Sequence, residues 1–134
     1  MRKIKLLHLV ASLFAFKVIK DINGNEYVVY NDSHINKIES TVEDKTAFEA
    51  VENHVHIFGN IKKSDFEDAC FIGEKIGEAL FSSLKQAFPE RNFIVFVSVS
   101  DEIIIRFHQK WENEPVYYDV NANYGKGHML FAFE

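Results

Sequence analysis

Apolar and polar side chains alternate with a period of two through the second half of the chain, which is typical of β-strands. One alternating stretch covers residues 93–100, and a second covers residues 103–111 after a short turn. In the second stretch Arg106, His108 and Lys110 all fall on the same side. The pattern predicts an antiparallel hairpin with one face in the core and the other face in solvent.

Further strands are indicated on both sides of this hairpin. Residues 116–120 and 129–133 are short β-rich runs, separated by the polar and glycine-rich loop 121–127. Near the N-terminus, residues 13–20 and 26–30 are strand-like and flank the turn sequence DINGN. Asn-Gly within such a turn is a strong hairpin signal, so a second hairpin is predicted there.

A long amphipathic helix is predicted over residues 65–87, with Ser64 and Glu67 matching an S-x-x-E capping box. One stripe at helical spacing collects most of its apolar or small residues, namely Phe66, Cys70, Gly73, Gly77, Leu80, Leu84 and Phe88, flanked by Ala69, Ile76 and Phe81. Each glycine costs about 1 kcal/mol of helix propensity relative to alanine. We therefore expect Gly73 and Gly77 to allow close packing of the helix on a sheet.

These elements, with a short helix around residues 45–52, predict an α+β fold in which one long helix packs on an antiparallel β-sheet. A length of 134 residues is typical of one domain, and no repeat or linker interrupts the sequence, so residues 1–134 are predicted to form a single domain. The apolar run 6–16 follows a basic start, as in a signal peptide. Because His8 interrupts it and no clear cleavage site follows, we predict a retained, buried segment, either helix or strand.

Composition narrows the location and the partners. Hydrophobic residues make up 47% and charged residues 26% of the chain, as in globular proteins. Cys70 is the one cysteine, which fits a reducing compartment and predicts a cytoplasmic protein. A net charge of −5 disfavours nucleic-acid binding and favours a basic partner. The apolar run 6–16 is too short to span a membrane, so no membrane association is predicted.

Motifs for catalysis or cofactors have simpler interpretations. Cys70 lies on the buried helix stripe, no G-x-S-x-G sequence occurs, and the G-K-G of the loop 121–127 lacks the rest of a P-loop. His54 and His56 lie on one side of a strand, but the sequence offers no clear third ligand beyond His108 on another strand. Since catalytic zinc needs three protein ligands, we predict two ordinary surface histidines, no metal and no cofactor.

Residues 111–119, which read WENEPVYYD, are the most informative segment for function. Large amphipathic rings beside carboxylates are the composition of protein-binding hot spots. The predicted partner-binding residues are Trp111, Glu112, Glu114, Tyr117, Tyr118 and Asp119. The competing interpretation is a loop in which Trp111 and one tyrosine fill the edge of the core.

The run from His54 to Asp119 includes HVHIF, an Ile-Gly-Glu helix, Phe-Pro before a strand, and IIIRFHQKWENEPVYYD. In this pattern of residues the chain resembles small uncharacterised bacterial proteins of the immunity type, which are encoded beside polymorphic toxins. The resemblance covers about half of the chain and carries no individual functional residue with it. It implies a protein partner, a basic toxin domain.

Three functions remain as expectations. The leading one is a non-enzymatic protein-binding protein, an immunity protein that neutralises a cognate basic bacterial toxin. The alternative is a small ligand-binding protein or enzyme that uses the sheet face with Arg106, His108 and Lys110. A third is a homo-oligomer that associates through Phe71, which lies off the buried helix stripe, and the two tyrosines Tyr117 and Tyr118.

Overall fold

The computed structural model describes residues 3–134, which form three α-helices, one short 3₁₀ turn and six β-strands. In chain order these are α1 (Lys3–Ser12), β1 (Phe16–Lys20), β2 (Glu26–Tyr30), α2 (Lys45–Glu52), β3 (His54–Phe58), the 3₁₀ turn (Lys63–Asp65), α3 (Phe66–Ala87), β4 (Phe93–Val99), β5 (Ile103–Gln109) and β6 (Met129–Phe133).

The strands form two antiparallel sheets. β1 and β2 make a separate hairpin, and the larger sheet has the order β3-β5-β4-β6. In the larger sheet Val97 of β4 lies opposite Ile105 on one side and Phe131 on the other. The hairpin of β1 and β2 and the hairpin of β4 and β5 were both predicted from the sequence. The α+β architecture with a long helix on an antiparallel sheet is confirmed.

The long helix α3 packs on one face of this sheet through its small residues. A Cβ atom added at Gly77 would lie 2.5 Å from Cγ2 of Val97 and 2.8 Å from Cε2 of Phe133. At Gly73 it would lie 3.0 Å from Cγ1 of Val97. The predicted close helix–sheet contact is therefore confirmed, and it offsets the low helix propensity of the two glycines.

The predicted capping box of α3 is wrong. The turn Lys63–Asp65 precedes the helix, and no side chain caps its first residues. The N–H of Asp65 is bound by the carbonyl of Lys62, which winds the chain into the 3₁₀ turn before α3 begins at Phe66. Ser64 therefore lies inside that turn rather than at the cap position.

The N-terminal segment is a helix, and it is less buried than predicted. No residue of α1 is fully buried, and Ile4 and Leu7 are 68% and 64% exposed. Leu6 and Val10 pack against the core from one side of the helix. The predicted basic start of the segment includes Met1 and Arg2, which lie outside the described residues. Within residues 3–134, none of the helices combines the length and apolarity needed to span a bilayer.

The hairpin of β1 and β2 closes through Asp21. Its carboxylate accepts hydrogen bonds from the N–H groups of Asn23 and Asn25 at 2.8 and 3.0 Å and from the Tyr27 hydroxyl at 2.8 Å. Gly24 has a φ of 84°, a conformation that glycine adopts without strain. The carboxylate of Asp21 therefore stabilises the turn of the predicted hairpin.

Candidate protein-binding surface

The aromatic segment, residues 111–119, crosses the face of the larger sheet that lies opposite α3. The ring of Tyr118 packs edge-on against Phe96 of β4, with centroids 5.0 Å apart. The backbone N–H of Tyr117 donates to Nε2 of His108 at 3.1 Å. Residues 116–120 therefore do not form the predicted strand, because this N–H is bound to a side chain instead of a neighbouring strand.

The prediction that this face of β5 is open to solvent is wrong, because the aromatic segment and α2 cover it. Arg106 is half-buried there and donates through Nη1 to the carbonyl of Ala50 of α2 at 2.7 Å. Its guanidinium lies 4.6 Å from the ring centroid of Tyr117 and 5.5 Å from that of Tyr118. Arg106 thus stabilises both tyrosine rings by cation–π contact from the side of the sheet.

His108 is fully buried and its two ring nitrogens are both bonded. Nδ1 donates to the carbonyl of Gln109 at 2.7 Å, so Nε2 is the acceptor for the Tyr117 N–H and the imidazole is neutral. Burial lowers the pKa of His108, and the charge of Arg106 acts in the same direction. Protonation would cost the hydrogen bond to the aromatic segment.

The three residues of the alternative ligand site therefore do not form one open cleft. Arg106 and His108 direct their hydrogen bonds into the fold, whereas Lys110 is exposed and its Nζ lies 3.1 Å from Oε1 of Glu134. The same face does bring Arg106 and His108 into contact with Tyr117. Residues predicted for the ligand site thus contact a residue predicted for partner binding.

Trp111 begins the aromatic segment and is half-buried. Its ring centroid lies 5.2 Å from that of Tyr27 in β2. Its indole N–H donates to Oε1 of Glu49 at 3.1 Å. The competing interpretation of the segment, in which Trp111 fills the edge of the core, describes this residue, and its role in partner binding stays a prediction.

Glu49 of α2 is the residue that sequence reasoning missed. Its carboxylate is fully buried and accepts four N–H groups, from the backbone of Val28 at 2.9 Å, the backbone and side chain of Gln109, and the indole of Trp111. Burial raises its pKa to about 7, although these hydrogen bonds act in the opposite direction. Glu49 thereby joins α2, β2 and the start of the aromatic segment.

A signal for Glu49 was present in the sequence. Thr46, Glu49 and Ala50 recur at helical spacing, and all three are buried in α2. A carboxylate on the inner stripe of a helix needs several donors around it. The sequence pattern gives the stripe but not the strand and the tryptophan that supply those donors.

Glu114 has a structural role at the N-terminus of α2. Its carboxylate accepts from the backbone N–H and the hydroxyl of Thr46 at 2.7 and 2.6 Å, and from the N–H of Lys45 at 3.3 Å. Burial would raise the pKa of Glu114, but these hydrogen bonds lower it below its ordinary value. The carboxylate acts as an N-terminal cap contributed from a distant part of the chain.

Of the remaining predicted partner-binding residues, Tyr118 is half-buried against Phe96, and the other three face solvent. Glu112 and Asp119 are exposed, and Tyr117 is 38% exposed. Val120 and Tyr124, which follow directly, are 49% and 38% exposed. The Tyr124 hydroxyl donates to the carbonyl of Asp119 at 2.7 Å, which brings the second ring back to the segment. We give the name acidic aromatic surface to the five exposed residues Glu112, Tyr117, Asp119, Val120 and Tyr124.

The histidine pair on β3 is confirmed as a pair on one strand face. The rings of His54 and His56 lie 5.4 Å apart, and Nδ1 of His56 lies 2.9 Å from Oε2 of Glu102. His108 does not join them, because it is buried under Tyr117. Across the described part of the chain, no group of three His, Cys, Asp or Glu side chains is placed to hold a metal ion.

Comparison with known proteins gives a family and no further relative. The model of the family described as "Uncharacterized protein PM0498 family" matches residues 13–130, which include every element from β1 to β5 and the whole acidic aromatic surface. No curated protein matches the chain. No solved structure matches it either.

Proposed function

The chain belongs to the uncharacterized protein PM0498 family, and we propose that it is a non-enzymatic protein-binding protein of the immunity type that neutralises a basic bacterial toxin in the cytoplasm. The acidic aromatic surface is the observation that carries this proposal. It combines the partly exposed rings of Tyr117 and Tyr124 with the exposed carboxylates of Glu112 and Asp119, and the Tyr124 hydroxyl donates to the carbonyl of Asp119. Large rings with charged neighbours supply anchors and orientation in protein interfaces.

Pre-organisation of the segment supports this function. Arg106 lies under Tyr117, His108 binds its backbone, and Tyr118 packs on Phe96. At the start of the segment, Trp111 is fixed by Glu49. An interface whose side chains are already ordered loses less conformational entropy on binding, so the same contacts give a higher affinity.

Charge supports a basic partner. The net charge is −5, and the exposed carboxylates of Glu112 and Asp119 lie on the proposed surface itself. Glu114 of the aromatic segment binds Thr46 in the first turn of α2, so the start of this helix, which follows the acidic residues Glu43 and Asp44, lies beside the segment. A toxin that acts on nucleic acid presents a positive cleft, for which this surface is the electrostatic complement.

The experiment is co-expression with the product of the neighbouring gene in the native host. We expect a stable complex and stoichiometric loss of the toxic activity. The double variant Glu112→Lys/Asp119→Lys should lose protection. Its matched control, Glu67→Lys/Glu78→Lys, changes the charge equally at exposed positions of α3 and should protect like the wild type. Equal protection by both variants would place the interface elsewhere, and absence of any complex would contradict the proposal.

A further inference from the structure

An open cavity of about 530 Å³ lies on the α3 side of the larger sheet, between α1, the end of β3 and the first half of α3. Its walls are mainly aliphatic and include Leu6, Val10, Ile57, Ile72, Ile76 and Ile103. This volume is within the range of pockets that bind small molecules. We call it the aliphatic cavity.

A second cavity of about 470 Å³ adjoins the first and has a different chemistry. Ile61 and Lys62 line both cavities. The second is also lined by Lys63 and Lys126, against the single carboxylate of Asp101. We call it the lysine cavity.

The lysine cavity reverses the charge of the chain locally. Although the net charge is −5, lysines outnumber acidic residues three to one around this space. Among residues 3–134, the ion pairs within 4.0 Å involve other basic groups, so Lys62, Lys63 and Lys126 have no carboxylate at that distance. Ammonium groups gathered without a carboxylate partner favour an anionic group between them.

We infer that the two cavities together bind one anionic amphiphile, a monomeric long-chain carboxylate or a molecule of the same chemistry. The aliphatic cavity takes the hydrocarbon chain, and the lysine cavity takes the head group. Lys62 lies at the junction of the two, where the head group meets the chain. Asp65 and Asp68 also line the aliphatic cavity, so an anionic head group is directed away from it and toward the lysines.

Calorimetric titration of the purified protein with hexanoate, octanoate and decanoate tests this inference. We expect saturable binding with one site per chain. Affinity should rise about fourfold for each added methylene, because each one transfers apolar surface from water into the aliphatic cavity. Octanol has a chain of the same length without the charge and should bind at least about tenfold more weakly than octanoate.

Two pairs of variants locate the site. Ile72→Glu places a carboxylate at the aliphatic cavity and should lower decanoate affinity at least about tenfold, whereas Phe71→Glu, on the neighbouring exposed position, should not change it. Lys63→Gln/Lys126→Gln should also weaken binding. Its control is Lys37→Gln/Lys85→Gln, which removes the same charge at exposed positions outside the two cavities.

Several results would overturn the inference. These are the absence of saturable carboxylate binding, equal losses in a variant and its control, and octanol binding as tight as octanoate. Binding to phosphatidylglycerol vesicles without binding to monomeric decanoate would also overturn it, since the lysines would then contact a membrane surface. No residue of the acidic aromatic surface lines either cavity, so the variants that test carboxylate binding differ from those that test toxin binding.

Discussion

The backbone N–H of Tyr117 donates a hydrogen bond of 3.1 Å to Nε2 of the fully buried His108. Tyr117 belongs to the segment that sequence analysis selected for partner binding, and His108 belongs to the strand selected for ligand binding. The bond makes them one unit, in which a neutral imidazole positions the backbone of the aromatic segment. The protonation state of His108 therefore affects both stability and the proposed interface.

Stability should fall with acidification because of His108. Burial lowers its pKa in the folded protein, so its contribution is fully present above the unfolded pKa of about 6.5 and is lost as the pH falls through the folded value. We expect the unfolding free energy of the wild type minus that of His108→Gln to shrink between about pH 7.5 and about pH 5. Urea unfolding at several pH values measures it, and this difference cancels the opposite effect of Glu49, whose pKa is raised to about 7.

The exposed His54 is the control for this experiment. His54→Gln makes the same substitution at an exposed histidine that does not bind the aromatic segment. A constant difference between the wild type and His108→Gln across the pH range would show that His108 titrates equally in the folded and unfolded states.

Glu49→Gln should be strongly destabilising. Each carboxylate oxygen of Glu49 accepts two N–H groups, so the new NH₂ group would face donors and leave them without an acceptor. We expect a loss of at least about 2 kcal/mol in the unfolding free energy. Glu52→Gln, on the same helix, affects a half-buried side chain that accepts from Ser33 and should cost less than about 1 kcal/mol. Similar losses in both variants would contradict a central role for Glu49.

Gly77→Leu should destabilise the contact between α3 and the sheet. The added side chain meets Val97 and Phe133 at distances that require displacement, and such overpacking costs about 1–3 kcal/mol or more. Ala79→Leu places the same side chain at an exposed position two residues further along the helix and should change stability by less than about 0.5 kcal/mol. Thermal unfolding of both variants checks the pair. An unchanged midpoint for Gly77→Leu would mean that another face of α3 packs on the sheet.

Substitutions at Glu114 and Glu112 should have different effects, because Glu114 has a structural role and Glu112 has a proposed binding role. Glu114→Gln weakens the capping of α2 and should cost about 0.5–2 kcal/mol of stability. Glu112→Gln removes the same charge from an exposed position and should leave stability unchanged while slowing association with a basic partner. Chemical unfolding and stopped-flow association give the two readouts. Equal destabilisation by both substitutions would contradict this assignment.

The elements with strong local periodicity were predictable. The alternation in β4 and β5 and the small-residue stripe of α3 depend on neighbours in sequence, and both have the predicted partners. The path of the aromatic segment depends on contacts with His108, Arg106 and Phe96, which no local pattern records. The prediction of a solvent-exposed face on β5 was wrong for the same reason, because a segment distant in sequence covers that face.

The candidate partner-binding residues were selected by residue type from one segment, and the sequence could not show their contacts. Six residues were selected from one segment, and the structure assigns Trp111 to the core edge and Glu114 to the N-terminus of α2. Both assignments depend on contacts with α2. This helix is separated from the aromatic segment along the chain by β3, α3, β4 and β5. Glu112, Tyr117 and Asp119 stay exposed as the prediction required.

The central claim is that the exposed rings and carboxylates of the acidic aromatic surface bind a basic protein. The most direct test measures association and dissociation rate constants with the captured toxin domain over a range of salt concentrations. Variants are Tyr117→Ala and Glu112→Lys/Asp119→Lys, and each is first checked for unchanged thermal stability. We expect the tyrosine variant to lose at least about 2 kcal/mol of binding free energy, mainly by faster dissociation. The charge variant should associate more slowly and show a weaker dependence on salt. Wild-type rate constants for both folded variants would contradict the claim.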